Sequence, residues 1–135
     1  MFKFFKKEKE IPNFNFITTH PKKAFYFSRV KKWDWLNKEE IFLSEKDSND
    51  KIKMTTLDFW SQEMFLDADG QKTVEEYLGV LIKQFQENKM KIPADLDEFM
   101  IGILDSLHDD LNAIVFSTSP IKLDPEFDKP LSNKT

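Results

Sequence analysis

The apolar residues of this chain change their period once, near Thr56, and that switch limits the possible folds more than any other feature. Before it they come in short aromatic and β-branched runs, Phe25-Tyr26-Phe27, Trp33-Asp34-Trp35, Ile41-Phe42-Leu43 and Ile52-Lys53-Met54, which is the pattern of strands. Lys46-Asp47-Ser48-Asn49-Asp50 is rich in turn formers and predicts that the last two runs form a hairpin. After the switch, Leu57, Trp60, Met64 and Phe65 follow three- and four-residue spacings, predicting a short helix that stops at Asp69-Gly70. Val74, Tyr77, Leu78, Leu81, Ile82 and Phe85 continue the same period as a second helix, which Thr73 and Glu76 open at capping-box spacing. Lys89 to Pro93 interrupts the pattern. Leu96, Phe99, Met100, Ile103, Leu104, Leu107 and Leu111 then make a third helix, with Pro93 at its start and Asp95, Asp97 and Glu98 at the positive end of its dipole. Each helix has a single apolar face, so all must share one core with the strands. The expected fold is α+β, a small antiparallel sheet followed by three helices. Ala113 to Phe116 reads as one more strand, with Thr118-Ser119-Pro120 turning back to Ile121-Lys122-Leu123 as a C-terminal hairpin wing.

A chain of 135 residues suits one domain, placed at residues 24–123. Residues 1–23 read as a basic, mobile segment and residues 124–135 as a disordered tail carrying three acids and two prolines. Charge is divided along the chain: residues 1–35 carry net +6 and residues 36–135 net −10. An acidic body repels phosphates, which disfavours nucleic acid as a partner. Met1-Phe2-Lys3-Phe4-Phe5-Lys6-Lys7 is a weak basic patch that could touch an anionic bilayer, yet it is too short and too charged for a signal-peptide core. The longest later apolar run, Phe99 to Leu104, is far short of a membrane span. The chain has no Cys, which removes disulfides, thiolate metal sites and cysteine nucleophiles, and fits a cytoplasmic location. Its three glycines, Gly70, Gly79 and Gly102, are too few and too scattered for phosphate-cradling loops.

Two clusters invite a chemical reading. Asp67-Ala68-Asp69-Gly70 looks like the opening of a calcium loop. With Gly70 at the sixth position, however, Phe65 stands first and Lys72 eighth, where an oxygen ligand and an apolar residue are needed. His108-Asp109-Asp110, with Asp105 three residues before the His, bring carboxylates and an imidazole close together on one helix face, but His20 is the only other histidine, and a stable metal site needs three or four ligands. No Gly-x-Ser-x-Gly elbow is present. The sequence thus points to no catalytic residue, no metal and no cofactor. A binding module remains, one able to take a guest peptide as an added strand at a sheet edge beside a helix.

The order of several motifs resembles the PqqD-like family, which includes protein D of pyrroloquinoline quinone biosynthesis and the recognition elements of peptide-modifying enzymes. The matching pieces are Arg29-Val30-Lys31-Lys32-Trp33-Asp34, Ile41-Phe42-Leu43, Ile52-Lys53-Met54, Leu57-Asp58, the run Asp69-Gly70-Gln71-Lys72-Thr73-Val74-Glu75-Glu76-Tyr77-Leu78, and residues 93–111. The resemblance covers roughly residues 29–116, with Asp58 where the family often has Asn and no counterpart to residues 1–28. It implies a winged-helix-like domain that captures a precursor peptide along an edge strand and presents it to a partner enzyme. Its peptide-binding residues would be Lys51, Ile52, Lys53, Met54 and Thr55 on the edge, with Phe99, Met100, Ile103 and Leu107 on the last helix. The helical spacing of those four also suits an ordinary core.

Two other classes fit the composition. A winged-helix DNA-binding or transcription-associated protein would need a basic recognition helix, whereas Pro93 to Leu111 holds no Lys or Arg and six acids. An immunity-type or assembly partner would instead use its acidic face to neutralise a basic protein.

Overall fold

The computed structural model describes residues 11–133 and forms an α+β fold with two three-stranded antiparallel sheets. A short helix, α1 (Asn15–Thr18), precedes β1 (Tyr26–Arg29), β2 (Lys32–Trp35), β3 (Ile41–Lys46) and β4 (Ile52–Thr56). Helix α2 (Phe59–Asp67), strand β5 (Asp69–Thr73), α3 (Val74–Glu87), α4 (Leu96–Asp109), β6 (Ile114–Ser117) and α5 (Pro125–Asp128) follow, with a 3-10 turn at Leu131–Asn133. All four early apolar runs contribute to strands, and β3 and β4 form the expected hairpin.

The sheets, in contrast, do not simply precede the helices. β2, β3 and β4 pair in sequence, but β1 lies between β5 and β6, which flank α3 and α4 in the chain. Segment 114–117 therefore does not turn back onto 121–123 as a wing. Its partner is β1, through the register Phe27 with Phe116 and Arg29 with Ile114. Residue 121 instead bonds β5, its N–H donating to the Gly70 carbonyl at 2.9 Å. Gly70 accordingly does not close α2. It lies within β5 at φ +78°, and a Cβ there would sit 2.1 Å from the Ile121 carbonyl oxygen. Only glycine meets both constraints.

Local capping agrees with the sequence. Asp58 accepts from Ser61 N–H at 2.8 Å to open α2, and Thr73 and Glu76 form a reciprocal capping box on α3. The inner faces of the three helices meet at Met64, Phe65, Leu81, Met100, Leu104 and Leu107, with Phe27 edge-on to Tyr77. No helix among the described residues is long and apolar enough to cross a membrane.

Both segments expected to be mobile are tied down where they are described. Ile17 is buried, and its N–H donates to Asp97 Oδ2 at 3.0 Å. Asp97, expected at the positive end of the helix dipole, is itself buried in this tether. Lys22 pairs with Asp105, and the Lys23 carbonyl accepts from Glu75 N–H. Residues 1–10 lie outside the described residues.

At the other end, residues 124–132 are fastened by Arg29, which is only 6% exposed. Its Nε donates to the Phe127 carbonyl at 2.8 Å, Nη1 to the Leu66 carbonyl at 2.7 Å, and Nη2 to the Asp128 carbonyl at 3.1 Å. Trp33 Nε1 donates to the same Phe127 oxygen at 2.8 Å, and Asp34 accepts from Ser132. Low hydrophobicity suggested disorder, but these polar contacts fix the segment without requiring apolar burial.

Arg29→Ala should lower stability to urea by about 3 kcal/mol, because several acceptors lose a charged donor, and should open residues 124–133 to protease. Gly70→Ala should also destabilise, read by thermal unfolding, because Ile121 must move away from β5.

Candidate functional site

β4 is an edge strand, paired on one side with β3 and unpaired on the other among the described residues. Asp47 N–H donates to the Lys51 carbonyl at 2.8 Å, which sets the hydrogen-bond alternation of the hairpin. Two residues on, Glu45 and Lys53 form the next hydrogen-bonded pair, then Leu43 and Thr55. The N–H and C=O groups of Ile52, Met54 and Thr56 consequently point away from β3. Ile52 and Met54 share the outer face of the sheet and are 66% and 54% exposed. The opposite edge, β2, is packed by α5 and the 3-10 turn, with Lys32 paired to Glu126. One edge of this sheet is covered and the other is open.

Three residues beyond Thr56, α2 begins with Phe59 and Trp60, so the open edge leads into a second feature, an aromatic groove. Trp60 stacks on Phe85 with centroids 6.1 Å apart and meets Phe59 and Phe99 edge-on at 5.3 and 6.0 Å. On one side lies a groove of about 360 Å³ reaching Glu63, Gln84 and Met90. On the other, about 210 Å³ opens between Trp60, Pro93, Asp95 and Phe99. Phe59 is 64% exposed, and Met90 and Phe99 also reach solvent.

The charged groups of the groove are acids. Tyr77 donates its hydroxyl proton to Asp67 Oδ2 at 2.8 Å, and burial, reinforced by that carboxylate, pushes the phenol well above its usual range. Glu63 has no hydrogen-bond or ion-pair partner among the described residues, and burial, with Asp67 nearby, pushes its carboxyl above the ordinary value. Asp95 likewise has no ion-pair partner among them, and among the described residues no Lys or Arg lines either side of the groove. By contrast, the Asp105–His108–Asp109 cluster is already engaged: Lys22 takes Asp105, and His108 Nδ1 lies 2.6 Å from Asp109 Oδ1. That hydrogen bond holds the Asp109 carboxyl below its usual range.

The nine residues expected to bind peptide are not gathered into one groove. Ile52, Lys53, Met54 and Thr55 lie on β4, and Lys51 sits in the turn just before it. α4 packs chiefly on α1, α2, α3 and β6, whereas β4 rests chiefly on β3. Met100 and Leu107 belong to the core, at 0% and 1% exposure. The helical period explains the correction: positions 100, 104 and 107 form the inner stripe, while Phe99 and Ile103 flank it. Ile103 is half-buried and Phe99 borders the aromatic groove. Phe59, Trp60, Glu63 and Met90 were not foreseen as a site. The adjacency of Phe59 and Trp60 gave no signal of it, since the neighbours Met64 and Phe65, and Tyr77 and Leu78, both face the core.

No known protein family, curated protein or solved structure matches this chain.

A raised carboxyl means that the folded state holds its proton more tightly than the unfolded chain. Stability should therefore fall as pH rises from the ordinary glutamate range through the raised value. Glu63→Gln should flatten that part of the stability profile, measured by urea unfolding across mildly acidic pH.

Proposed function

We propose that this is a non-enzymatic, cytoplasmic adaptor of PqqD-like, winged-helix character that captures an extended peptide by strand addition along β4. The observation that carries this reading is the asymmetry of the β2-β3-β4 sheet. Its β2 edge is packed by the C-terminal residues, and its β4 edge leaves three outward-facing backbone positions unpaired among the described residues. Unpaired edges are a hazard that proteins usually cover. A guest strand would satisfy the N–H and C=O groups of Ile52, Met54 and Thr56 and lay side chains against Ile52 and Met54. Lys53 lies on the other face opposite Glu45, leaving the apolar pair free for selection. The ordered resemblance over residues 29–116 points to the same activity, with a peptide-modifying enzyme as the partner that receives the guest.

The charge of α4 supports protein over DNA. Its face carries no Lys or Arg, so the DNA-binding alternative lacks the cations that phosphate contact requires.

Titration of isotope-labelled protein with a panel of extended octapeptides tests the proposal. Binding peptides should shift the amides of Ile52, Met54 and Thr56 and slow their exchange. Met54→Pro removes one outward N–H without removing a β3–β4 ladder bond, and should abolish binding while the fold persists. Peptides that bind this variant as well as the parent would contradict strand addition.

A further inference from the structure

Strand capture at β4 leaves the aromatic groove around Trp60 unused. We propose that the part of it between Trp60, Pro93, Asp95 and Phe99 is a binding site for a small quaternary ammonium compound, whose trimethylammonium group sits against Trp60 and Phe99 with Asp95 as its counter-ion. The proposal goes beyond peptide capture and does not depend on it.

Shape is the first argument. Trp60 and Phe85 lie nearly parallel, with 11° between their planes, whereas Phe99 stands at 89° to Trp60 with the centroids 6.0 Å apart. The rings thus form two walls meeting near a right angle, and with Pro93 and Leu96 they border the volume of about 210 Å³. A trimethylammonium group directs its methyls tetrahedrally and meets both walls at once. Aromatic faces attract cations through their quadrupole, and a quaternary ammonium brings no N–H that an apolar lining would leave unsatisfied.

Charge is the second. Asp95 stands at the N-cap position of α4, where an aspartate ordinarily accepts a hydrogen bond from the first turn. Its side chain makes no such bond and no ion pair among the described residues, which leaves the carboxylate to the groove. The Asp95 carbonyl accepts from Phe99 N–H at 2.9 Å, and residues four apart share one side of a helix, so the acid and the aromatic wall are positioned together.

The surrounding charges favour a cation. The N-terminus of α4 carries roughly half a positive charge, but Asp95 and the first-turn acids Asp97 and Glu98 outweigh it. No Lys or Arg among the described residues lines this part of the groove. Glu63 borders the other part, across Trp60, and takes no role in the site.

The test titrates the isotope-labelled full chain with choline, with its neutral isostere carrying carbon in place of nitrogen, and with ethanolamine, its primary-amine counterpart. Choline should shift the amides of Leu96 and Phe99 and the indole N–H of Trp60, leaving Ile52, Met54 and Thr56 unmoved. Both analogues should bind roughly five-fold more weakly or worse, since one lacks the charge and the other must shed water from its N–H groups. Phe99→Leu keeps apolar bulk at an exposed position but removes the aromatic face, and Asp95→Asn removes the counter-charge. Each should weaken choline several-fold while the spectrum remains that of the folded chain. Equal affinity for choline and the carbon isostere would reduce the site to an unselective apolar groove and overturn the proposal, as would the absence of saturable choline binding. A trimethyl-lysine peptide that binds where choline does not would give the site to a protein side chain and overturn its assignment to a small ligand.

Discussion

Arg29 holds together parts of the chain that otherwise have little reason to meet. Its guanidinium lies at the end of β1, where the backbone also donates to the carbonyl of Ala68, and it satisfies the carbonyls of Leu66, Phe127 and Asp128. One side chain thus joins the first sheet, the end of α2 and the C-terminal segment. The fork geometry of arginine suits this task, since several donors diverge from one rigid plane. Burial opposes the charge and lowers its pKa, while Asp128 acts in the opposite direction. The three carbonyls contribute to the same balance by accepting charge-assisted hydrogen bonds.

The contrast between the covered β2 edge and the open β4 edge follows in part from this anchoring. With residues 124–132 drawn along Trp33 and Asp34, the β2 edge is flanked, and Ile121 occupies the edge of β5 beside Gly70. The chain spends its last described residues covering two strand edges at different sheets. β4 receives no such cover among them, and its continuation into Phe59 and Trp60 places an apolar groove at the end of the open strand. Edge and groove are thus two adjacent surfaces, one presenting unpaired backbone groups and the other aromatic side chains.

Local structure was largely legible in the sequence because it depends on local chemistry. The period switch near Thr56, the capping pair Thr73 and Glu76 and the polar turn at Lys46 to Asp50 each act within a few residues and locate their elements well. What was not legible depends on partners distant in the chain. Nothing near Ile114 indicates that β6 will seek Tyr26–Arg29 in place of Ile121, and nothing near Asp124 reveals that Arg29 is waiting for its carbonyls. Asp97 was readable as a first-turn dipole acid but not as a tether, because its partner, the Ile17 amide, lies 80 residues away. The candidate site divides in the same manner. The edge strand was readable from the hairpin pattern, whereas membership of the groove was not, because helical spacing alone does not say which flank of α4 faces Trp60.

The claim most exposed to experiment is that β4 is an open edge with a defined alternation. Amide hydrogen exchange on the free protein reads it directly, residue by residue. The account predicts slow exchange at Lys53 and Thr55, whose N–H groups point into the ladder, and fast exchange at Ile52, Met54 and Thr56. Equal protection at all five would mean that the outer edge is already paired, and would contradict the account.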